Sequence, residues 1–307
     1  MRLMLLARSL GVGGAERQLM LLARELQGRH ELSVVTFYGG ESSYTTQPWL
    51  TTVWSPLHKR GRWDLVFVLR YWRKLREMQP DVVYAFTGPP SLLALVSRLR
   101  RRGPAVVWGI RSSDVDLRHY GLLARLVRWM ECRLAAFADG VIANSEAGRS
   151  QALREGFARR DIRVIVNGID TEAFAPVPHA AQALRRRIGL PDDAMLIGTV
   201  ARLDPMKGYD VLIQAASLLH ARRPSVHWVL AGGGDARYSH SLQELARDLG
   251  LDGVVHWLGP ASEVSTLHSA FDLYTSASVF GEGFSNSIGE AMACGTPCVV
   301  TDVGDSA

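Results

Sequence analysis

The sequence predicts an α/β protein built from two successive domains, each with a parallel sheet. Its 307 residues exceed the usual size of one domain, and two domains of about 150 residues are the simplest division. Short apolar segments alternate with longer amphipathic segments along the chain, a pattern typical of buried parallel strands connected by helices. A Pro- and Ala-rich break, NGIDTEAFAPVPHAAQ, interrupts this alternation. We therefore expect one domain over residues 1–173 and a second over residues 174–307.

The elements of the first domain follow in order. LMLLA predicts a strand, GVGGAERQLMLLARELQGR predicts a Gly-rich turn and a helix that ends near Gly28, and HELSVVTFYGG predicts the next strand. WDLVFVLRYWRKLREMQP predicts a helix that stops at Pro80, because proline does not continue a helix. Further helices are predicted over SLLALVSRLRRRG and LLARLVRWMECRLAAFA, and further strands over DVVYAFT, AVVWGI, GVIANS and IRVIVNG.

The alternation restarts in the second domain. MLIGTVARL and VHWVLAGGG predict strands on either side of the helix GYDVLIQAASLLHARRP. The segments SLQELARDLGL, VVHWLG, VSTLHSAFD and DLYTSAS continue the pattern up to PCVVTDVG, the last predicted strand. That strand ends at about Thr301 and no helix is predicted after it, so either the second domain is truncated at its carboxyl end or the sheet ends abruptly.

Composition limits the class of protein. No apolar run approaches about 18 residues, which argues against a transmembrane helix, and the apolar run at the amino terminus is too short for a signal peptide. Three cysteines form neither an even framework nor a C-x-x-C pair, so we expect a reducing, cytoplasmic setting. Residues 1–173 carry 26 Lys and Arg against 16 Asp and Glu, and residues 174–307 carry 9 against 14. The basic half could face nucleic acid, an anionic membrane, a phosphate-bearing substrate, or water alone.

The glycine turn GVGGAE lies between a predicted strand and a predicted helix, where backbone N–H groups and the helix dipole favour an anion. A dinucleotide fingerprint requires a third glycine where this chain has Glu16, and a P-loop requires Gly-Lys-Ser/Thr, which is absent. Two interpretations remain: contacts of Gly13 and Gly14 with a phosphate or a sugar, or a tight turn without a ligand.

Two cations follow the first strand of the second domain. ARLDPMKGYD places Arg202 and Lys207 in the loop before the next helix, and loops at the carboxyl ends of parallel strands form ligand crevices. Arginine as a bidentate fork and lysine as a point charge could together neutralise a diphosphate. The alternative is a pair of exposed loop cations.

Two glutamates lie eight residues apart in GEGFSNSIGEAMACGTPCVV. Ser287-x-x-Glu290 reads as a capping box, in which Glu290 would only satisfy a backbone N–H, and Gly295 with Pro297 would end a short helix. Glu282 precedes it in a loop between two glycines that allow close backbone approach. The alternative to capping is a carboxylate pair that accepts hydrogen bonds from vicinal hydroxyls of a ligand.

Taken in order, GGAERQ, NGID, ARLDPMKG, LAGGGD and GEGFSNSIGEAMACGTPCVV resemble the retaining glycosyltransferases of family 4. The resemblance extends over nearly the whole chain, and the glutamate segment is its most specific part. It implies a GT-B fold, two Rossmann-like domains that face each other across a cleft, with a nucleotide-sugar held by the second domain.

The resemblance also implies the residue roles. The donor diphosphate would be bound by Arg202 and Lys207 in place of a metal ion, so that neither a cofactor nor a metal is expected. Glu290 would hold the nucleotide ribose, and Glu282 would contact the transferred sugar. The catalytic residues implied are Glu282, Arg202 and Lys207, and the donor-binding residues implied are Gly13, Gly14, Arg202, Lys207, Glu282, Gly283, Phe284, Ser285 and Glu290.

The sequence departs from the family pattern at one position. Many members carry a histidine after the strand that matches AVVWGI, whereas this chain has Arg111, which we expect to meet an acceptor phosphate. The Asp-Val-Asp at residues 114–116 resembles a metal-binding motif in the wrong context, and we interpret His119 as a structural or surface residue.

The partners implied are a UDP- or GDP-sugar and a saccharide or polyprenyl-diphosphate-linked acceptor in cell-surface polysaccharide or glycolipid synthesis. RYWRKLR and RLVRWMECR mix cations with aromatic residues, as interfacial helices do, so we expect peripheral attachment to the inner face of the cytoplasmic membrane. Other readings stay open: a non-catalytic nucleotide-sugar-binding protein, or an epimerase or phosphorylase of similar fold. Nucleic-acid binding is not expected, since no recognised motif accompanies the charge.

Overall fold

The computed structural model describes residues 1–11, 13–40, 44–61, 64–86, 88–111, 122–158 and 161–306. They form an amino-terminal unit, Met1–Gly168, and a carboxyl-terminal unit, Ile169–Ala307. The division lies between residues 168 and 169, whereas the sequence placed it after residue 173. Each unit is built around one parallel sheet with helices in its connections, so the predicted α/β class with two Rossmann-like domains is confirmed.

Seven strands form the sheet of the described part of the amino-terminal unit, all parallel, in the order β3-β2-β1-β4-β5-β6-β7. The strands are β1 (Arg2–Ala7), β2 (Glu31–Thr36), β3 (Trp54–Pro56), β4 (Val82–Phe86), β5 (Ala105–Ile110), β6 (Gly140–Ala143) and β7 (Ile162–Val164). The helices are α1 (Gly14–Leu26), α2 (Pro48–Val53), α3 (Val66–Met78), α4 (Gly88–Ala94), α5 (Leu122–Leu134) and α6 (Glu146–Arg154).

The sheet of this unit is buried on both faces, which explains its continuous apolar strands. Alternate residues of a strand point to opposite faces. In β1, Met4 and Leu6 join the cluster that contains Trp108, while Leu3 and Leu5 join the cluster that contains Leu19. Helices on both sides of a parallel sheet require this two-sided apolar pattern.

The carboxyl-terminal unit has a five-stranded parallel sheet in its described residues, in the order β10-β9-β8-β11-β12. Its strands are β8 (Met195–Val200), β9 (Val226–Ala231), β10 (Val255–Gly259), β11 (Leu273–Ser276) and β12 (Cys298–Val300). Its helices are α7 (Ala180–Arg187), α8 (Tyr209–His220), α9 (Ala236–Asp248), α10 (Val264–Ala270) and α11 (Asn286–Ala293). Neighbouring residues of β8 again divide between two cores, with Ile197 in one and Leu196 in the other.

Local details differ from the sequence prediction. The single helix predicted over SLLALVSRLRRRG is instead α4 followed by a 3-10 helix, Leu95–Leu99. The short elements α2, β3 and α6 have no counterpart in the prediction, and α7 begins inside the break that was interpreted as a linker. These elements are too short or too polar to give a clear apolar period, and they form because their buried residues join a core provided by the rest of the unit.

Candidate functional site

The topology of the carboxyl-terminal sheet brings two loops together. The chain runs from β8 outward to β9 and β10, then returns to the other side of β8 for β11 and β12. The loops that leave the carboxyl ends of β8 and β11 therefore flank the point where the strand order reverses. In open α/β sheets this switch point is the usual ligand crevice.

The loop after β8 is held by its own turn chemistry and by the loop after β11. Asp204 accepts a hydrogen bond from the Met206 backbone N–H at 3.1 Å and so begins the 3-10 turn Pro205–Lys207. The Val279 N–H donates to the Met206 carbonyl at 2.9 Å. Of the two predicted cations in this loop, Arg202 is exposed, with its guanidinium 3.6 Å from the Asp204 carboxylate, and Lys207 is directed toward the β11 loop.

Lys207 and Glu282 meet between the two loops. The Lys207 ammonium donates to Oε1 of Glu282, and the Ser278 hydroxyl donates to the same oxygen at 2.7 Å. The carboxylate is nearly enclosed, with 8% of the Glu282 side chain exposed, against 19% for Lys207. A charge-assisted hydrogen bond in such a setting is stronger than one in water. The structure thus brings together two residues that were predicted from separate motifs 75 positions apart.

The segment after β12 is hydrogen-bonded to the loop that carries Glu282. Thr301 donates from its hydroxyl to the Ser278 carbonyl at 2.6 Å, and the Asp305 N–H donates to the Gly283 carbonyl at 3.1 Å. Gly304 has φ +68°, and a Cβ there would lie 2.3 Å from the Glu282 carbonyl oxygen. Only glycine fits this approach. Sequence reasoning missed Ser278, Thr301 and Gly304; the glycine in TDVG was the one local signal of a close approach.

A second close approach joins the loops after β8 and β9. A Cβ on Gly232 would lie 1.8 Å from the Ala201 carbonyl oxygen. The Leu203 N–H donates to the Gly233 carbonyl at 2.9 Å. The LAGGGD motif therefore fixes the backbone that carries Arg202.

Glu290 lies inside α11, and the predicted capping box is wrong. The N-cap of α11 is Ser285, which makes no side-chain capping bond, so Ser287 is already in the first turn. Its hydroxyl donates instead to the Val200 carbonyl at the end of β8, at 2.6 Å. Glu290 falls a full turn inside the helix, and its side chain is buried. The predicted helix end at Gly295 is confirmed.

Tyr274 lies fully buried on β11. Burial raises the pKa of its phenol; a hydrogen bond with Ser287 acts in the opposite direction, and the charges of Glu282 and Glu290 raise the pKa further. The phenol is therefore protonated throughout the ordinary pH range. Among the other predicted donor-binding residues, Gly283 and Ser285 are buried and Phe284 is half-buried, with its ring beside Gly289.

In the amino-terminal unit, the glycine turn lies where the sequence placed it. Gly13 is the N-cap of α1 in extended conformation, and Gly14 begins the helix. The side chain of Gln18 on α1 donates to the Gly168 carbonyl at 2.8 Å and accepts from the Gly168 N–H at 3.0 Å. This double hydrogen bond fixes the last residue of the unit.

Arg111 follows β5 and is held by its neighbours in the same unit. Its guanidinium donates to the Tyr84 hydroxyl at 2.6 Å and to Oδ1 of Asn167 at 3.2 Å, and it lies 4.5 Å from the centre of the Phe86 ring. Burial lowers the pKa of Arg111, and Tyr84 partly offsets this. Asp114, Asp116 and His119 lie outside the described residues. Within the described ranges, no group of three or more His, Cys, Asp or Glu is arranged to hold a metal ion.

Comparison with known proteins bears on each half of the chain. Residues 181–307 match the model of Glycosyl transferases group 1. Over 184 residues the chain is 33% identical to the D-inositol 3-phosphate glycosyltransferase of Saccharomonospora viridis. The aligned stretch covers 57% of this chain and 42% of that protein. Over 229 residues it is 31% identical to the GDP-mannose-dependent α-(1-6)-phosphatidylinositol monomannoside mannosyltransferase of Mycolicibacterium smegmatis, 71% of this chain and 58% of that protein. The chain thus spans about half the length of the curated relatives it matches.

Solved structures extend the likeness to both units. Anabaena HepE, in complex with UDP and glucose, superposes with a TM-score of 0.85 at 26% identity, over 99% of this chain and 82% of that one. WaaG, a glycosyltransferase involved in lipopolysaccharide biosynthesis, gives a TM-score of 0.73 at 19% identity, over 99% of this chain and 82% of that one. A likeness at this low identity shows the fold alone. These neighbours confirm the predicted GT-B class. Since residues 12–173, more than half of the chain, match the model of Glycosyltransferase Family 4, this protein belongs to that family.

Proposed function

We propose that this protein transfers a sugar from a UDP- or GDP-sugar to a saccharide or polyprenyl-diphosphate-linked acceptor. The observation that carries the proposal is the contact of Lys207 and Ser278 with the Glu282 carboxylate between the two loops at the switch point. Support for the donor class comes from relatives: HepE has been crystallised with UDP and with UDP-glucose, and the M. smegmatis relative is named as GDP-mannose-dependent.

The cations of the β8 loop bind the donor diphosphate in this proposal. Arg202 offers a planar fork to two phosphate oxygens, and Lys207 offers a compact charge. Both belong to one short loop whose backbone is fixed by Asp204 and by the β11 loop. Fixed donors that face a developing negative charge stabilise it without reorganisation, which removes the need for a metal ion at the diphosphate.

The carboxylates bind hydroxyl groups of the donor. Glu282 accepts on Oε1 from Lys207 and Ser278, and its carboxylate contacts the transferred sugar in this proposal. Glu290 receives the ribose, one helix turn inside α11. Gly283, Phe284 and Ser285 line the approach between them.

The reaction proceeds with retention at the anomeric carbon. The acceptor hydroxyl attacks on the face from which the diphosphate departs, the bond between the anomeric carbon and the phosphate oxygen breaks, and the new glycosidic bond forms. The hydroxyl proton passes to an oxygen of the leaving diphosphate. The protein contributes mainly electrostatic stabilisation of that diphosphate, and loss of one such group typically costs about 100- to 1000-fold in rate.

Nucleotide release tests this proposal. UDP- and GDP-sugars are incubated with the protein and membrane lipid extract, and Lys207→Ala is expected to release nucleotide about 100- to 1000-fold more slowly than the wild type. Lys74→Ala is the matched control, because Lys74 also pairs with a carboxylate, Glu77, at 3.1 Å but on the amino-terminal unit. A near-normal rate for folded Lys207→Ala would refute its role.

A non-catalytic nucleotide-sugar-binding protein is the second candidate. The same contacts of Arg202, Lys207 and Glu282 would serve binding alone. Calorimetric binding of UDP or GDP without release from any donor would favour this candidate, whereas release that Glu282→Gln abolishes would exclude it.

Arg111 contacts the acceptor in this proposal. Its guanidinium lies over the Phe86 ring and donates to two neutral acceptors, Tyr84 and Asn167, so its charge is not matched by a carboxylate at either of these contacts. A phosphate of a lipid-diphosphate acceptor supplies that negative charge. Arg111→Gln is expected to raise the KM for a phosphorylated acceptor and leave the donor KM unchanged; equal effects on both would contradict the assignment.

Helix α5 provides the surface for peripheral membrane attachment. Leu122, Leu126 and Trp129 are exposed at i, i+4 and i+7, and therefore share one face of the helix. Arg125 and Arg133 are exposed on the same helix. Apolar side chains flanked by arginines fit the interface of an anionic membrane, where the former insert and the latter meet phosphates. Within the described residues, no helix combines the length and the hydropathy needed to cross a membrane.

Vesicle flotation tests the membrane surface. The wild type is expected to float with vesicles that contain anionic phosphatidylglycerol at low salt and to be released at high salt, because exposed charges are screened. Trp129→Ser should weaken flotation, and Leu218→Ser, a change of an exposed leucine on the other unit, should leave it unchanged. Equal flotation with neutral vesicles would contradict an electrostatic contribution.

A further inference from the structure

A fully buried histidine lies beside Glu290. His268 is on α10, its side chain has no exposed surface, and its Nε2 is 3.8 Å from Oε2 of Glu290. The Glu290 side chain is itself only 3% exposed. An imidazole and a carboxylate are thus enclosed together in the core of the carboxyl-terminal unit.

Packing alone does not account for an imidazole at this position. Among the residues that the structure describes, none is a hydrogen-bond partner of either ring nitrogen of His268. Its aromatic neighbours are Tyr274, edge-on at 5.2 Å between ring centres, with Phe271 at 6.3 Å and Phe174 at 6.4 Å. A phenylalanine would fill such a shell without the free-energy cost of burying unsatisfied polar atoms.

Hydrogen bonds hold the backbone of His268 in place. Its ring therefore approaches Glu290 by rotation of the side chain, without movement of the backbone. The Thr296 hydroxyl donates to the His268 carbonyl at 2.6 Å, and the Phe271 N–H donates to it at 3.3 Å. A separation of 3.8 Å exceeds a hydrogen bond, but a shift of about 1 Å brings it into the range of N–H···O contacts. A small rotation of either side chain is therefore enough to form the bond.

We propose that His268 is a positioning residue that sets the ribose selectivity of the site through Glu290. Its Nε2–H donates to Oε2 of Glu290 when the donor nucleotide is bound. This bond fixes the orientation in which the carboxylate accepts from a ribose hydroxyl. This inference rests on the proposed function, since it requires that Glu290 binds the ribose.

Nucleotide affinity with and without ribose hydroxyls tests the inference. Calorimetry gives the Kd of UDP and GDP and of their 2′-deoxy and 3′-deoxy analogues for the wild type and its variants. For the nucleotide that binds, the wild type is expected to prefer the ribonucleotide by about 10- to 100-fold, the effect of one hydrogen bond to a charged group. His268→Phe should reduce this preference to about threefold or less, mostly by weakening the ribonucleotide. His268→Gln should retain part of it, because its amide donates.

Two further variants separate positioning from folding. In a Glu290→Gln background, His268→Phe should cause no additional loss of preference, because its effect passes through the carboxylate. His240→Phe is the matched control, since His240 lies 3.2 Å from a glutamate, Glu244, on the surface of the same unit. If His268→Phe fails to fold, the ribose preference of His268→Leu is compared with that of His268→Gln, which provides the same test.

The outcomes distinguish this inference from the proposed function. An intact ribose preference in His268→Phe, or equal weakening of ribo- and deoxynucleotides, would overturn the positioning role while nucleotide binding stands. A wild type that binds a nucleotide with no ribose preference would overturn both the Glu290 assignment and this inference. A wild type that binds neither UDP nor GDP would overturn the proposed function itself.

Discussion

Removal of the Lys207 ammonium should destabilise the carboxyl-terminal unit more than removal of both charges of its pair. Only 8% of the Glu282 side chain is exposed, and its carboxylate accepts hydrogen bonds from Lys207 and Ser278. Lys207→Ala leaves this buried carboxylate with one donor fewer. Because a lost hydrogen bond to a charged group costs about 1.5–3 kcal/mol and water replaces part of it, we expect a loss of about 2 kcal/mol.

The partner change should cost less. Glu282→Gln leaves the Lys207 ammonium, which is more exposed than the carboxylate and recovers hydration, so we expect a loss of about 1 kcal/mol. In the double variant neither charge is left without its partner. Its loss should be about 1.5 kcal/mol rather than the sum of about 3 kcal/mol, which is a coupling of about 1.5 kcal/mol.

Urea unfolding followed by circular dichroism measures these differences, provided the m-values of the four proteins agree. Lys74 and Glu77 supply the control cycle, because their pair is 32% and 46% exposed and should show a coupling of about 0.5 kcal/mol or less. Additive losses in the Lys207 and Glu282 cycle, or a coupling no larger than the control, would refute the idea that this pair is an enclosed, mutually dependent unit.

Two further predictions concern glycine and histidine. Gly304→Ala should destabilise the protein by about 1–3 kcal/mol and slow nucleotide release, since a Cβ would lie 2.3 Å from the Glu282 carbonyl oxygen. Gly250→Ala, at φ +70° with no atom within 4 Å of its Cβ, should cost less in the same unfolding assay, and equal losses would contradict the contact argument. Burial lowers the pKa of His227 and His256 below the value of 6.5 that each has in the unfolded chain, and their ring nitrogens are 3.3 Å apart. Below pH 6.5 the unfolded state therefore binds more protons at these histidines than the folded state does. The free energy of unfolding should fall as the pH drops below 6.5. Thermal unfolding between pH 5 and 8 should show a flatter pH dependence for the His227→Gln, His256→Gln double variant, and an unchanged dependence would contradict this assignment.

The sequence placed the candidate site residues in loops after strands, and the structure brings these loops together because parallel strands end at a common edge. Arg202 and Lys207 follow β8, and Glu282 follows β11, the neighbour of β8 in the sheet. Once the alternation of strands and helices is read, loops after neighbouring strands are expected to meet. That Lys207 contacts Glu282 itself depends on the length of a lysine side chain and on the turn at Asp204, which sequence spacing does not specify.

The remaining contacts were missed because they are tertiary. Ser278 and Thr301 are ordinary residues in their local sequence, and their roles follow from β11 and β12 being paired. The capping box failed for a different reason: the helix begins at Asn286, one residue before Ser287. A shift of one or two residues at a helix start moves a motif from the cap to the first turn, and helix boundaries are the least certain part of a sequence-based prediction.

The two close approaches at Gly232 and Gly304 limit how this site could be diversified. Each places a glycine against a carbonyl oxygen of a neighbouring loop. Gly232 packs the loop after β9 against the loop after β8, and Gly304 packs the segment after β12 against the loop after β11. A library that varied these two glycines would yield misassembled loops rather than new specificities. Variation is better tolerated where a side chain extends from this fixed backbone, as at the half-buried Phe284. Under the proposed function, new donor preferences are therefore best sought by exchange of side chains at constant loop length.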